Sequence, residues 1–402
     1  TLENGKNRYE SIADVDEAID FMRYYSHEIE ANNGFRKEMG QAYPSERTSS
    51  TLRPYGVWTV IAPFNFPVAI ATGMSVGALI TGNTIVFKPA SDTPLTGLRL
   101  YEILTEAGLP EGVMNYVTGS GGEIGSELVE NPRVAGIVFT GSLEVGMSIY
   151  SSLSKGRAKP FIAEMGGKNP TIVTAKADVE AAVEGVALSA FGYGGQKCSA
   201  CSRVYVQREL LADFTAKLVE RTKQLTVGNP TLKENYMGPV INDRAYRNFQ
   251  HYAEIAQTDG KVLTGGRVKS EGELRHGFYV EPTIVADLPV DHRFFKEELF
   301  LPILSVAPFD SFDEALKLAN SVEYGLTAGI FTQDEGEMAQ FFDRIEAGVA
   351  YANRKMGATT GAMVGAQPFV GWKLSGITGR GAGGPHYLPQ FMREQSRTKV
   401  VT

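Results

Sequence analysis

The residue best suited to covalent chemistry is Cys198, which follows the glycine-rich stretch 191–197 and precedes a segment, 203–207, that is typical of a strand. Backbone N–H groups at such a turn, or at a helix start, lower the pKa of a thiol and so favour the reactive thiolate. The small residues on either side leave room for a substrate carbon to approach the sulfur. We therefore take Cys198 as the candidate nucleophile.

Cys198 and Cys201 also form a C-x-x-C pair, which occurs in redox proteins and supplies half of the ligands in many zinc sites. The chain has only these two cysteines, and its five histidines show no H-x-x-x-H spacing. Zinc is therefore disfavoured, and we expect no metal site. A dithiol redox protein remains an alternative, although a thioredoxin-type motif would lie near the end of the first strand of a small domain.

A second candidate is Glu164, which lies in the apolar run 161–165. Burying an unpaired carboxylate among apolar residues is costly, so its presence needs a reason. One reason would be an ion pair with Lys168. The other is a role as general base, whose pKa an apolar setting raises.

The bulk properties are those of an enzyme with two domains. A chain of 402 residues exceeds what one core usually supports. A net charge of −7 argues against a nucleic-acid or anionic-membrane partner, and no apolar run has membrane-spanning length. Two cysteines so close in sequence make no disulfide framework, which favours a reducing cytoplasm. Because the chain enters abruptly at Thr1, we expect that an N-terminal piece is missing.

The first part of the chain predicts a helix and then a protruding segment. Val15, Ile19, Met22 and Tyr25 recur at helical spacing, which predicts an amphipathic helix over 14–30 with these residues on its buried face. The polar stretch 32–54 is typical of a hairpin. Together with the polar end of the chain, 395–402, it is expected to form an oligomerisation sheet.

From Tyr55 onward, apolar strands alternate with helices, which is typical of a parallel, doubly wound sheet with ligands at the carboxyl ends of its strands. The predicted strands are 57–62, 84–87, 112–117, 134–139 and 161–165, and the predicted helices include 68–80 and 94–107. The second half repeats this α/β theme. Its predicted helices are 177–190, 209–225 and 312–320, with strands near Val204, Val262 and Ile303.

Two glycine-rich turns follow strands of the first half. The turn 119–125 is close to the dinucleotide fingerprint but has one residue too many before its last glycine. The turn 139–146 has the glycine spacing of a P-loop, yet Met147 stands where the phosphate-binding lysine belongs, which disfavours ATP. A helix that begins at Ser142 could receive a pyrophosphate through its N–H groups. The two turns together favour a dinucleotide.

Six spaced motifs occur in the order found in aldehyde dehydrogenases, and the chain resembles that superfamily over nearly its whole length. The motifs are PFNFP (63–67), FKP (87–89), FTGS (139–142), EMGGK (164–168), GQKC (195–198) and ELFLP (298–302). Within the superfamily, TTGA (359–362), QPF (367–369) and GGPHY (383–387) are similar to the 1-pyrroline-5-carboxylate dehydrogenases.

The resemblance implies an α/β fold with two three-layer α/β/α domains and a small oligomerisation segment. A Rossmann-like NAD(P)-binding domain would span 1–166, including the hairpin 32–54, and a catalytic domain would span 167–375. A C-terminal return and oligomerisation tail would span 376–402. A homo-oligomer, a dimer or larger, is implied as well.

The implied activity is NAD(P)-dependent oxidation of L-glutamate γ-semialdehyde to L-glutamate, a step of proline catabolism. Cys198 would attack the aldehyde, and the amide of Asn65 together with the Cys198 backbone N–H would hold the oxyanion. Loss of hydride would leave a thioester, which water activated by Glu164 would hydrolyse.

The resemblance also assigns binding residues. Lys88 and Glu298 would hold the two riboses, Phe300 would pack near the nicotinamide, and other cofactor positions would be Pro63, Phe64, Ser91, Gly121, Ser142 and Val145. Ser199, Gly361 and Ala362 would grip the substrate's α-carboxylate and amine, and Phe66 and Phe369 would wall its aliphatic chain.

Three positions depart from the family pattern. Ser91 replaces the usual acid that repels a 2′-phosphate, so use of NADP beside NAD stays open. Leu301 and Val370 replace glycines, and both are expected to narrow the substrate channel. The alternatives are a dehydrogenase for another semialdehyde, such as succinate semialdehyde, and a non-catalytic scaffold if the N-terminal piece is truly absent.

Overall fold

The computed structural model describes residues 1–156, 158–361 and 363–401, and the chain divides into two compact units. The first unit comprises Ala13–Glu164, Ala362–Phe369 and Arg380–Thr402, and the second comprises Thr1–Ile12, Met165–Gly361 and Val370–Gly379. The predicted domain boundary after residue 166 lies close to the passage from Glu164 to Met165. The functional meaning of that boundary stays a prediction.

The elements up to residue 164 alternate as the sequence predicts. In chain order they are α1 (Arg8–Ala31), β1 (Arg36–Glu38), β2 (Glu46–Pro54), β3 (Val57–Ile61), α2 (Ala69–Ile80), β4 (Thr84–Lys88), α3 (Pro94–Glu106), β5 (Met114–Tyr116), α4 (Gly121–Glu130), β6 (Val134–Thr140), α5 (Leu143–Leu153) and β7 (Phe161–Glu164).

The later elements build the second unit, except for the last strand, which returns to the first. They are β8 (Asn169–Val173), α6 (Val179–Phe191), β9 (Cys201–Gln207), α7 (Leu211–Lys223), α8 (Asp243–Asp259), β10 (Lys261–Thr264), β11 (Thr283–Ala286), β12 (Ile303–Phe309), α9 (Phe312–Asn320), β13 (Tyr324–Gly325), β14 (Thr327–Phe331), α10 (Glu335–Arg344), β15 (Val349–Ala352), β16 (Trp372–Lys373) and β17 (Met392–Val400).

The central sheet of the first unit is parallel and has the strand order β5-β4-β3-β6-β7. The chain adds β4 and β5 on one side of β3, then returns to add β6 and β7 on the other. The carboxyl ends of β3 and β6 therefore flank a topological switch point, where open α/β sheets bind ligands. Trp58, Phe87 and Val138 are buried in the core of this sheet.

Helix α1 forms as predicted, but its buried face differs from the predicted one. Its buried residues are Asp14, Ala18, Phe21 and Tyr25, whereas Val15 is 46% exposed. The reason is the carboxylate of Asp14, which faces inward and accepts a hydrogen bond of 2.8 Å from Ala69 N, at the start of α2. An inward-facing acid at this position is not visible to a search for apolar periodicity.

The second unit is built on a seven-stranded sheet with the order β10-β11-β12-β9-β8-β14-β15, in which only the pair of β10 and β11 is antiparallel. Apolar side chains cover both of its faces. Along β9, Tyr205 enters one buried cluster, and its neighbours Val204 and Val206 enter the other. This alternation makes a three-layer unit, because successive side chains of a strand point to opposite faces.

The polar segment 32–54 forms the predicted hairpin. Strands β1 and β2 pair antiparallel, and β17 joins β2 on its other side over the register Met392↔Pro54 to Val400↔Glu46. The two segments predicted to share a sheet therefore do so within one chain. In the part of the chain that the structure describes, every helix is too short or too polar to span a lipid bilayer.

Candidate active site

Cys198 lies just after a tight turn in the second unit. Helix α6 ends at Phe191, the turn Gly192–Gly195 follows, and β9 begins at Cys201. Tyr193, Gly194 and Gly195 all have left-handed backbones, with φ values of 50°, 61° and 68°. Glycine is required at 195 for a second reason, because a Cβ there would collide with the carbonyl of Leu301. The turn leaves the thiol half-buried.

The N-terminal segment of the second unit supports this turn from one side. Glu10 accepts a hydrogen bond of 3.1 Å from Tyr193 N and forms an ion pair with Lys197. The hydroxyl of Tyr193 donates to the carbonyl of Asn4 at 2.7 Å. Sequence reasoning missed these residues, because 183 residues separate Glu10 from Tyr193 along the chain.

Asn169 supports the turn from the other side. Its amide nitrogen donates to the carbonyls of Cys198, at 2.6 Å, and Ala200, at 2.9 Å. Its amide oxygen accepts from Thr327 N at 3.0 Å. Gly167 permits this approach, since a Cβ at that position would collide with the carbonyl of Cys198. Neither residue was predicted, although both adjoin or belong to the EMGGK motif.

A buried hydroxyl network ties Ser199 to the loop that precedes Gly361. The carbonyl of Ser199 accepts from the Thr359 hydroxyl at 2.5 Å, and Ser189 Oγ accepts from Thr359 N at 3.2 Å. The hydroxyl of Tyr351 donates to the carbonyl of Gly361 at 3.4 Å. Hydrogen bonds through Thr359 thus link the backbone at Ser199 to the loop that leads to Gly361, and both are predicted substrate residues. The third, Ala362, lies outside the described residues.

The second cysteine has a different environment from Cys198. Cys201 is 2% exposed, and its sulfur lies 3.2 Å from the hydroxyl of Thr171. Burial raises the pKa of its thiol to about 11. Both cysteines are thiols rather than a disulfide. Because thiol exchange requires an accessible thiolate, this setting argues against a dithiol redox centre.

Glu298 is held against the glycine pair that follows β7. Its Oε1 accepts a hydrogen bond of 2.9 Å from Gly167 N, and a Cβ on Gly166 would collide with its carboxylate. Burial raises the pKa of Glu298 to about 7. Phe300, two residues further on, has a left-handed backbone with φ of 57°. Glu298 and Phe300 line one small cavity together with Gly195 and Lys197.

Lys168 is a buried cation beside Glu298. It is 2% exposed, and within the described part of the chain its ammonium group makes no hydrogen bond. Burial, and then the charge of Arg203, lower its pKa to about 7, while the charge of Glu298 acts in the opposite direction. Among the carboxylates that act on the pKa of Lys168, Glu298 acts most strongly. The alternative of an ion pair between Lys168 and Glu164 stays a prediction.

Leu301 is buried next to the candidate site. It is 5% exposed and belongs to the apolar core of the second unit, with Phe294 and Phe295. It also lines the small cavity that Glu298 and Phe300 line. The expectation that it narrows a substrate channel stays a prediction.

In the first unit, Asn65 lies on the loop that follows β3. It is 3% exposed, and its amide oxygen accepts a hydrogen bond of 3.1 Å from Phe66 N. This contact fixes the orientation of the amide. Pro63, Phe64 and Phe66 are half-buried on the same loop.

Two further features suit a dinucleotide. Lys88 ends β4 and is buried, so its pKa is lowered by desolvation, and its ammonium donates to the carbonyl of Pro89 at 3.1 Å. Ser142 is the N-cap of α5, where its hydroxyl accepts from Val145 N at 3.4 Å, and Val145 is 47% exposed. Ser91 is exposed three residues after Lys88.

The two glycine-rich turns differ in what their helices offer to an anion. Glu123 reaches back over the start of α4, where its carboxylate accepts from Ser120 N at 3.1 Å and from the Ser120 hydroxyl at 2.8 Å. The N-terminus of α4, at the exposed Gly121, therefore already carries an anion. The N-terminus of α5 suits a diphosphate better, because its cap is an uncharged serine.

Glu164 is the last residue of β7 and is half-buried. Its carbonyl accepts from Gly141 N at 3.2 Å, so it adjoins the turn that begins α5. Asn65, Lys88, Ser142 and Glu164 thus all follow or end parallel strands at one edge of one sheet. Phe369 lies elsewhere in the first unit, where its N–H and C=O pair with Ala382 at 2.9 Å.

Comparison with known proteins decides the family. The sequence model of the "Aldehyde dehydrogenase family" matches residues 1–397. The chain belongs to the aldehyde dehydrogenase family. This aldehyde dehydrogenase is 42% identical over 404 residues to 1-pyrroline-5-carboxylate dehydrogenase 1 of Halalkalibacterium halodurans, and 43% identical to the 1-pyrroline-5-carboxylate dehydrogenase of Anoxybacillus flavithermus. Both alignments cover 99% of this chain and 76% of the relative.

The structural comparison agrees with the sequence comparison. The aldehyde dehydrogenase superposes on a crystal structure of 1-pyrroline-5-carboxylate dehydrogenase from Thermus with bound NAD, with a TM-score of 0.93 and 40% identity. The match covers 99% of this chain and 76% of the Thermus chain. The predicted α/β fold of the aldehyde dehydrogenase type is thereby confirmed.

Proposed function

We propose that this aldehyde dehydrogenase oxidises L-glutamate γ-semialdehyde, the open form of 1-pyrroline-5-carboxylate, to L-glutamate in proline catabolism, with NAD as hydride acceptor. One observation carries the proposal. A half-buried thiol, Cys198, stands on a rigid turn in a chain whose relatives at 42–43% identity are 1-pyrroline-5-carboxylate dehydrogenases.

The proposed reaction begins when the Cys198 sulfur bonds to the aldehyde carbon and the carbonyl π electrons move to oxygen. The amide NH₂ of Asn65 and the backbone N–H of Cys198 stabilise that oxyanion. A bound nicotinamide supplies the acceptor for the hydride that leaves the thiohemiacetal carbon. Glu164 then takes a proton from a water molecule, which attacks the resulting thioester and releases the carboxylate and the Cys198 thiol.

The cofactor would be held by residues from separate parts of the chain. Lys88 and Glu298 are proposed to bind the ribose hydroxyls, since a buried ammonium donates to them and a buried carboxylate accepts from them. Ser142, as the N-cap of α5, would present the N–H groups at the start of that helix to the diphosphate. The remaining proposed cofactor residues are Pro63, Phe64, Ser91, Gly121, Val145 and Phe300.

The substrate differs from a simple aldehyde in its α-carboxylate and α-amine. Ser199, Gly361 and Ala362 are proposed to grip these groups, and Phe66 and Phe369 to flank the methylene chain. Support comes from the hydroxyl network through Thr359, which holds the segment at Ser199 against the loop that leads to Gly361.

Steady-state kinetics with a panel of semialdehydes test the proposal. We expect kcat/KM for L-glutamate γ-semialdehyde to exceed that for glutarate semialdehyde, which lacks the α-amine, by at least about tenfold, because an unpaired polar site rejects the deaminated analogue. Equal or better turnover of succinate semialdehyde would instead favour the alternative substrate. Failure to bind NAD in a titration would favour a non-catalytic scaffold.

The preferred cofactor is tested in the same assay. Ser91 is uncharged and exposed, so nothing at this position repels a 2′-phosphate. We propose NAD as the main cofactor, with measurable turnover of NADP. Replacement of Ser91 by Asp should then suppress NADP turnover and leave NAD turnover intact.

The assembly and the compartment are also proposals. The sheet of β1, β2 and β17 leaves β1 and β17 as open edges, which suits pairing with a second copy of the chain in a dimer or larger homo-oligomer. A reducing compartment such as the cytoplasm suits an enzyme whose nucleophile is a thiol.

A further inference from the structure

We infer that Asn169 is a positioning residue for the nucleophile: its side-chain amide clamps the carbonyls of Cys198 and Ala200 and so fixes the orientation of the peptides around the reactive sulfur. The inference rests on the proposed role of Cys198 and deepens it. No motif of the sequence points to this residue as part of the site.

The clamp uses the full hydrogen-bonding capacity that a single amide can direct at the turn. Both donors on Nδ2 are engaged, at 2.6 Å and 2.9 Å, and Oδ1 is anchored to Thr327 N at 3.0 Å. Asn169 is 1% exposed, so water has no access to replace it. An unsatisfied buried carbonyl is costly, so the turn is tied to this residue.

The backbone register explains why Asn169 reaches the turn. Asn169 begins β8 and pairs with Cys201, the first residue of β9, and the pairing shifts between Asn169 and Pro170. This irregularity lets the side chain run alongside the segment that precedes β9. Bulges of this kind often re-aim side chains next to active sites.

The clamp fixes the peptide planes on both sides of the nucleophile. Ala200 N donates to the carbonyl of Lys197 at 3.0 Å, which holds the peptide that carries the Cys198 N–H. Asn169 holds the next peptide through the carbonyl of Cys198. The N–H proposed to stabilise the oxyanion and the sulfur that attacks therefore keep one relative orientation without reorganisation, which is the condition for efficient transition-state stabilisation.

Two variants of Asn169 test the clamp. Asn169→Asp keeps the oxygen that accepts from Thr327 N. It replaces the NH₂ group, which donates to the two carbonyls, with a second acceptor oxygen, and it adds a negative charge close to Cys198. Asn169→Ser keeps one hydroxyl donor on a shorter side chain and adds no charge. We expect kcat to fall by about 10- to 100-fold for Asp and by less for Ser, since small misplacements of reacting groups have effects of this size.

The measurements separate positioning from loss of structure. The rate of alkylation of Cys198 by iodoacetamide, followed by mass spectrometry, should fall in the same order, Asp more than Ser, while Kd for NAD stays within about twofold of wild type. Alkylation reports on the sulfur directly and needs neither substrate nor turnover.

Asn83→Asp is the matched control. Asn83 is 2% exposed and makes an equivalent clamp in the first unit: its amide oxygen accepts from Gly56 N at 2.9 Å, and its nitrogen donates to the carbonyls of Ala78 and Phe391 at 3.1 Å and 3.0 Å. This variant should cost similar thermal stability and leave the alkylation rate of Cys198 unchanged.

The outcomes that overturn the inference are distinct from those that overturn the proposed function. Asn169 variants that fold and retain alkylation rates within about twofold of wild type contradict the clamp. So does an equal loss of alkylation in Asn83→Asp. If Asn169→Asp does not fold, Asn169→Ser decides. Full turnover by Cys198→Ala would instead refute the proposed function, whereas the alkylation order would still measure the clamp.

Discussion

At the scale of single residues, two thiols separated by two positions in sequence have opposite settings. Cys198 is half-buried at the end of a turn, whereas Cys201 is enclosed in the second unit and its pKa is raised to about 11 by burial. Packing, rather than sequence spacing, thus distinguishes the candidate nucleophile from an inert core residue.

Serine substitutions test this distinction. Cys201→Ser should keep kcat within about threefold of wild type, because Ser is nearly isosteric and retains a partner in Thr171. Cys198→Ser should lower kcat by at least about a thousandfold, since a hydroxyl is a far weaker nucleophile near neutral pH. Steady-state rates of the two purified variants give the answer. Equal loss in both would revive the dithiol alternative.

Lys168 and Glu298 make a buried, opposite-charge pair that links cofactor binding to pH. Burial raises the pKa of Glu298 to about 7, while the Lys168 charge acts to lower it. Glu298 accepts ribose hydroxyls best when ionised, so NAD binding should weaken as the pH falls through about 7.

Lys168→Met removes the charge that lowers the pKa of Glu298. That pKa should then rise. The acid limb, meaning the pH range over which NAD affinity falls as the pH is lowered, should therefore move to higher pH. The remaining titratable groups around Lys168, namely Arg203, Cys201 and Glu297, are unchanged in this variant. Titrations of NAD from pH 5.5 to about 9 measure the limb, and Glu298→Gln, which has no ionisable group, should lack it. An unshifted limb in Lys168→Met contradicts the coupling.

The residues of the site differ in how far the sequence reveals them. Cys198 and Glu164 are residue types whose setting in the sequence already indicates chemistry, whereas Asn65 and Lys88 were assigned roles only through motifs shared with aldehyde dehydrogenases. Asn169 and Glu10 act through backbone groups that lie far away in sequence, at separations of 29 and 183 residues. Such contacts depend on the register of β8 and β9 and on the course of the N-terminal segment, which residue types alone do not specify.

At the scale of elements, the parallel sheet of the first unit was predictable because each strand is a short apolar run followed by a turn signal. The face of α1 was not, because Asp14 points inward to bond the start of α2. Strand β8 was missed as well, since it begins with Asn169-Pro170 and proline in a strand usually argues against one.

A pair of glycines tests the packing of these elements. A Cβ on Gly136 in β6 would overlap the indole of the fully buried Trp58, whereas a Cβ on Gly125 in α4 would meet open space. Gly136→Ala should lower the free energy of unfolding by about 1–3 kcal/mol through overpacking. Gly125→Ala should raise it by about 0.5–1 kcal/mol, because alanine favours helix. Denaturant unfolding of both variants gives the signs, and a neutral Gly136→Ala would contradict the packing of β6.

At the scale of the whole molecule, the sheet of β1, β2 and β17 is the feature with no evident role inside one chain. Residues Arg393–Val400 of β17 are exposed, and Val400 and Val401 are 60% and 48% exposed at its end. Apolar side chains beside an open strand edge suit contact with a second copy.

Two charges at this edge test the proposed homo-oligomer. The double variant Val400→Lys, Val401→Lys should dissociate the assembly without changing the fold of either unit, because both side chains lie on the surface. Light scattering after size-exclusion chromatography measures the mass. Leu232→Lys, a surface change at 47% exposure, is the matched control and should leave the mass unaltered. An unchanged mass in the double variant argues against this edge as the interface.

The central claim is that the sulfur of Cys198 carries the acyl group during turnover. The most direct measurement is acid quenching of the Glu164→Gln variant with NAD and L-glutamate γ-semialdehyde, followed by peptide mass spectrometry. Because this variant should hydrolyse the thioester slowly, the account predicts a stoichiometric glutamyl adduct on the peptide that contains Cys198. Turnover by the wild-type enzyme with no adduct on that peptide in either protein would contradict it.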